Sequence, residues 1–267
     1  MPKTLIHVGF AHSGTKSLQK NFFQKVDSIF YAGVPYKELG GIFSFIKYNE
    51  TSLYQESEVE ILVQNYITLK AKEKSLVLSD ESFVDQPAIY YTPKMVETAE
   101  IAKRLSSLFG KAYILFTIRN PVVRVISNYL IYKKNCLKID GISVESCEKW
   151  ILGNFSQLRN IHLQNINVFP VIKEYEEIFG KDNIFFMPLE RLINEGHRAY
   201  LKQISELLEI HPTQLCEVQY PRRNATKTSK PILNKELIQK IKSISKEGTE
   251  YIIKQYGIPL HEYGYLE

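Results

Sequence analysis

The stretch Thr4-Leu5-Ile6-His7-Val8-Gly9-Phe10-Ala11-His12-Ser13-Gly14-Thr15-Lys16-Ser17 decides the fold. Thr4–Gly9 is a short apolar run of the kind a buried strand needs. Ser13–Ser17 is a glycine-bearing loop, and Leu18, Phe22, Phe23 and Val26 then recur at helical spacing. A glycine loop that runs from a strand into a helix presents free backbone N–H groups, and the helix dipole favours an anion there. His12, Thr15, Lys16 and Ser17 add side-chain donors. The loop misses the Gly-x4-Gly-Lys-Ser/Thr phosphate motif by one residue, because Thr15 stands where the lysine belongs. A plain strand-to-helix turn would look the same, so the loop alone leaves both readings open.

Further along, the pattern repeats. Ser28–Gly33, Ser75–Ser79, Ala112–Ile118 and Asn183–Met187 read as strands. Helices are expected over Glu58–Lys72, from Thr92-Pro93 to Leu108 or Phe109, from Arg119-Asn120-Pro121 to about Lys133, and over Val144–Leu152, Val171–Phe179, Arg198–Leu208 and Lys235–Gln255. Gly110 closes the second of these. Strands alternating with helices predict one α/β domain over residues 1–267, a P-loop-like parallel sheet of about four to five strands flanked by helices. Ligands of such folds bind at the C-terminal strand ends. Three of those ends carry chemistry here: the first loop, Asp80-Glu81, and Arg119.

Composition narrows the function. The chain has 267 residues, 44% hydrophobic and 24% charged, as expected of a globular protein. Aromatic residues make up 12%, which argues against intrinsic disorder. No run approaches the roughly 20 apolar residues of a membrane span. The N-terminus shows no secretory h-region. Cys136, Cys147 and Cys216 form no Cys-x-x-Cys pair, which predicts reduced thiols and a cytoplasmic setting. The net charge of +5 suits a small polyanionic ligand better than a nucleic acid. The six histidines are scattered, so no metal site is expected.

The second constellation is Arg119-Asn120-Pro121-Val122-Val123-Arg124-Val125-Ile126-Ser127-Asn128-Tyr129. Arg119 stands at a strand exit, and Ser127 about two turns into the next helix. A guanidinium suits bidentate phosphate contact. Taken alone, the pair reads as a structural contact. Together, the two constellations resemble the 5′-phosphosulfate loop and the 3′-phosphate motif of sulfotransferases that use 3′-phosphoadenosine-5′-phosphosulfate (PAPS). Those enzymes carry Pro-Lys-Thr/Ser-Gly-Thr-Thr after the first strand and Arg-x-Pro-x-x-Arg-x-x-Ser-x-Tyr later. The second pattern is complete here in Arg119, Pro121, Arg124, Ser127 and Tyr129. Leu189-Glu190-Arg191-Leu192 also looks like a later family segment. The likeness is closest to the bacterial, carbohydrate-type branch.

The resemblance implies transfer of a sulfuryl group from PAPS, without a metal, to a hydroxyl or amine of a sugar, glycolipid or other small acceptor, leaving 3′,5′-ADP (PAP). It assigns Ala11, His12, Ser13, Gly14, Thr15, Lys16 and Ser17 to the phosphosulfate, and Arg119 and Ser127 to the 3′-phosphate. A late basic loop with Arg222, Arg223 and Lys227 would close over the nucleotide. Glu81 is the candidate general base and Asp80 the fallback. Two departures stand out: His12 replaces the family lysine, and Lys16 replaces the second threonine. His12 and Lys16 would share the lysine's work. Competing readings are a P-loop kinase or other phosphotransferase, a nucleotide- or glycan-binding relative that has lost transfer, and an RNA-binding module. The acceptor segments Gly33–Ser57, Phe83–Tyr91 and Asn135–Asn165 carry no readable code, and the oligomeric state is not encoded in any motif.

Overall fold

A computed structural model describes residues 3–34, 40–48, 55–71, 73–85, 96–139, 144–156, 163, 165–211, 213–214 and 230–266. These residues fall into two compact units. The first comprises the described residues of Met1–Asp85, Tyr91–Ile118 and Val171–Pro221, and the second those of Arg119–Pro170 and Arg222–Glu267.

The first unit is a five-stranded sheet of β1 (Thr4–His7), β2 (Ile29–Gly33), β3 (Ser75–Ser79), β4 (Tyr113–Ile118) and β5 (Ile184–Pro188). The order is β2-β3-β1-β4-β5, and every pairing is parallel. β1 lies in the middle, between β3 and β4, with His7 opposite Ser79 on one side and Leu115 on the other. The chain moves from β1 to one edge and later crosses to the other, so the C-terminal end of β1 is the switch point where α/β folds bind ligands.

Both faces of the sheet are covered, which explains why its strands read as continuous apolar runs. On one face Leu5, Val77, Leu115 and Met187 pack with Leu18, Phe22 and Phe23, and with Tyr200, Leu201 and Ile204. The former belong to α1 (Thr15–Leu18) and its π-helical continuation (Gln19–Phe23). The opposite face carries Phe116, whose ring meets Phe186 at 5.3 Å and Tyr175 at 5.4 Å. Two further helices lie in the first unit: α2 (Gly40–Tyr48) and α3 (Glu56–Lys70). The expected second helix is α4 (Thr98–Phe109), closed by Gly110 at φ 60°. It starts later than expected, for Val96 and Glu97 are not helical and Glu97 is extended. Thr92 and Pro93 lie outside the described residues.

The second unit contains α5 (Pro121–Ile139) and α6 (Cys147–Ser156). α7 (Phe169–Phe179), from Val171 on, and α8 (Leu189–Leu207) belong to the first unit, and the last helix of the second unit is α9 (Lys235–Tyr256). Val125, Tyr129, Trp150, Ile151, Leu237 and Ile241 form its core. α8 begins nine residues before the expected Arg198, because Gly196 at φ 80° breaks it into two helical pieces. α2 was not anticipated at all. Among the described residues, no helix is long and apolar enough to cross a membrane.

One polar contact anchors α2. Lys47 Nζ lies 2.6 Å from Asp80 Oδ2 and 3.0 Å from Ser82 Oγ, and both ionic groups are buried. Removing one partner of such a pair strands a charge. Lys47→Ala should therefore lower the unfolding free energy by about 3–5 kcal/mol, measured by urea denaturation. Adding Asp80→Asn to it should recover part of that loss.

Candidate active site

The first loop keeps pairing with β4 after β1 ends. Val8 N–H donates to Leu115 O and Phe10 N–H to Thr117 O, each at 3.0 Å. The chain then turns sharply. His12 holds φ at 65° and Gly14 at 90°. Glycine reaches this left-handed region freely, whereas a histidine there is uncommon and marks a locally constrained backbone. At Gly14 a Cβ would also come within 2.8 Å of Leu189 Cδ1. α1 follows at once, so the N–H groups of Thr15 and Lys16 have no acceptor within the helix. Ser13 and Thr15 are buried, His12 and Ser17 half-buried, and Lys16 exposed.

Glu81 is brought to this loop. It opens the short 3₁₀ turn after β3, and its Oε2 accepts a hydrogen bond from Thr15 Oγ1 at 2.7 Å. Burial pushes its carboxyl above the ordinary 4.5, and the nearby Asp80 and Asp85 charges push the same way; the Thr15 hydroxyl and the Lys16 charge oppose them. Asp80, one residue earlier, is spent on structure. Its Oδ1 accepts from Ser82 N–H and Oγ, and its Oδ2 from Lys47. Those contacts commit both Asp80 oxygens, one to the turn and one to α2. Sequence reasoning missed Asp85, whose Oδ2 accepts from Ala11 N–H at 3.0 Å. Its position past the strand end was the available signal.

In the second unit, Arg119 Nη1 donates to Ser127 Oγ at 3.2 Å, and Ser127 Oγ donates to Val123 O at 2.9 Å. The eight-residue spacing thus does bring this pair together. Asn120 caps α5, its Oδ1 accepting from Val122 and Val123 N–H, while its Nδ2 donates to the carbonyls of Tyr263 and Gly264. Arg124 is buried and donates to Asn165 O, and the Tyr129 hydroxyl donates to Glu145 O at 2.8 Å. Those two motif residues hold the unit together. Arg222, Arg223 and Lys227 lie outside the described residues. Among the described residues, no cluster of His, Cys, Asp and Glu could hold a metal ion.

The architecture has known counterparts. A sulfotransferase from Alicyclobacillus acidocaldarius superposes with a TM-score of 0.59 at 14% identity, over 95% of each chain. The sulfotransferase domain of the curacin biosynthetic pathway gives 0.51 at 16% identity, over 96% of this chain and 98% of that one. The fold is that of the sulfotransferases. No protein-family model matches the chain, and no curated protein matches it either.

The Glu81 environment has a measurable consequence. An acid whose pKa rises on folding favours the native state while protonated, and that advantage disappears as pH climbs through the raised pKa. Glu81→Gln removes this loss. The variant should be more stable than the parent at neutral pH and should match it below about pH 4, as followed by denaturation across pH.

Proposed function

We propose that the protein is a PAPS-dependent sulfotransferase acting on a hydroxyl or amine of a sugar, glycolipid or other small molecule. The observation that carries this reading is the Glu81–Thr15 contact: within a sulfotransferase fold, a carboxyl with a raised pKa touches the anion-binding loop. The two units work as one catalytic domain in this reading. Free thiols at Cys136 and Cys147 suit a cytoplasmic setting.

The residues fit the donor nucleotide in chemistry. Loop N–H groups at a helix start, the Thr15 and Ser17 hydroxyls, the His12 imidazole and the Lys16 ammonium form a donor set with a fixed positive charge. One contact runs against the fit, because Asp85 occupies the N–H of Ala11, so that group must exchange partners to hold an anion. PAPS supplies an activated sulfuryl group. Glu81 would take the acceptor's proton as a new S–O or S–N bond forms and the bond from sulfur to the 5′-phosphate oxygen breaks. His12 and Lys16 stabilise charge on the departing phosphate, and PAP is the product. Arg119 and Ser127 hold the 3′-phosphate, with the Ser127 hydroxyl turning from Val123 O to do so.

Two outcomes test this. Arg119→Ala should weaken PAP binding about ten- to a hundredfold and leave 5′-AMP binding unchanged in calorimetry, with Ser127→Ala acting in the same direction more mildly. In a PAPS turnover assay across sugar acceptors, Glu81→Gln should lose at least about a hundredfold in kcat while PAP affinity holds. Equal PAP affinity in both 3′-site variants would remove those residues from the site.

A further inference from the structure

Beneath the loop runs a buried row of polar side chains, of which only Ser13 is among the residues assigned to the phosphosulfate. Gln19 Nε2 lies 3.0 Å from Ser79 Oγ, Ser79 Oγ lies 2.7 Å from His7 Nδ1, and His7 Nε2 lies 3.1 Å from Thr117 Oγ1. Thr117 Oγ1 in turn lies 2.9 Å from Ser13 Oγ, which donates to the Phe10 carbonyl. All five side chains belong to residues no more than 1% exposed. The row joins the helical entry, β3, β1 and β4 to the loop.

Read back from the Phe10 carbonyl, valence fixes the protons as far as His7 Nε2. A carbonyl only accepts, so the Ser13 hydroxyl spends its one proton on Phe10 O. The Thr117 hydroxyl must then donate to Ser13, and His7 Nε2–H must donate to Thr117. At the other end the Gln19 amide donates to Ser79 Oγ, and a neutral ring with its proton on Nε2 accepts at Nδ1 from the Ser79 hydroxyl, which also meets Tyr31. Every bond points the same way, from Gln19 towards Phe10 O. Burial also drives the His7 pKa down to about 3, which keeps the ring neutral, as this pattern demands.

We propose that His7, held as the neutral Nε2–H tautomer, is a positioning residue for the candidate active site: through Thr117 and Ser13 it sets the path of the anion-binding loop. The assignment of a donor nucleotide to that loop rests on the sulfotransferase reading. Gly9 supports the role independently. A Cβ there would fall 1.7 Å from Thr117 Oγ1 and 2.9 Å from His7 Nε2, so the chain crosses directly over the His7–Thr117 bond. The loop backbone and this bond are therefore coupled by contact. In a dry interior, a one-way chain of hydrogen bonds is mutually polarised, and an unmade member is costly.

Two measurements decide it. First, ¹⁵N NMR of the histidine-labelled apo protein should show His7 as the neutral Nε2–H tautomer; an Nδ1–H tautomer or a cation at neutral pH overturns the proposal, whether or not any nucleotide binds. Second, calorimetry with PAP should show about a tenfold loss of affinity in Thr117→Val and recovery to within about threefold in Thr117→Ser, which restores the hydroxyl. Unchanged PAP affinity in a folded Thr117→Val would mean that the row serves stability alone, and the proposal fails. Should Thr117→Val not fold, Thr117→Ser and the tautomer carry the decision. If the parent protein itself binds no PAP, the donor reading falls, and the His7 tautomer is still judged by the first measurement.

Discussion

The exit of the chain from β1 governs the site. β1 is the central strand, so its end is flanked by the ends of β3 and β4, and little room is left for the loop that follows. Gly9 passes where no side chain fits, Gly14 takes a conformation few other residues accept, and Leu189 closes over it. Within this narrow turn the backbone presents its N–H groups at a helix start. Histidine is tolerated at position 12 because its side chain is half-buried and histidine is among the residues that visit the left-handed region.

Neighbouring carboxylates show how environment divides roles. Asp80 and Glu81 adjoin in sequence and follow the same strand. Asp80 is buried with a lysine and a serine satisfying both oxygens, a geometry that fixes the turn and ties α2 to the sheet. Glu81 points to the loop instead, meets a single hydroxyl, and is pushed towards the protonated form. One carboxyl is committed to holding the turn and α2, and the other faces the loop with its pKa raised by burial. The alternation of faces along an extended strand end is what separates them.

Much of this was legible in the sequence. The five strands are there as apolar runs because a parallel sheet buried on both faces needs them. Glycine after β1 and Asn-Pro after β4 mark the turns at both strand exits, and the Arg119–Ser127 pairing follows from helical spacing. What stayed hidden depends on tertiary contact. α2 opens with Gly40-Gly41 and carries aromatic residues, so its local propensity is weak; burial of Phe43 and Ile46 and the Lys47–Asp80 pair hold it instead. His7 reads as one polar interruption in an apolar strand. Its partners lie 72 and 110 residues away, beyond any local pattern. The split in α8 likewise turns on a single glycine that a helical periodicity passes over.

The most direct measurement is the thermal stability of the protein with PAP, set against ADP and ATP with and without Mg²⁺. A ligand at about 100 times its dissociation constant stabilises the native state by ~2.7 kcal/mol, enough for a clear rise in Tm. PAP should produce that rise independently of Mg²⁺, and ADP should not. A rise only with ATP and Mg²⁺ would contradict it and make the loop the phosphate site of a phosphotransferase.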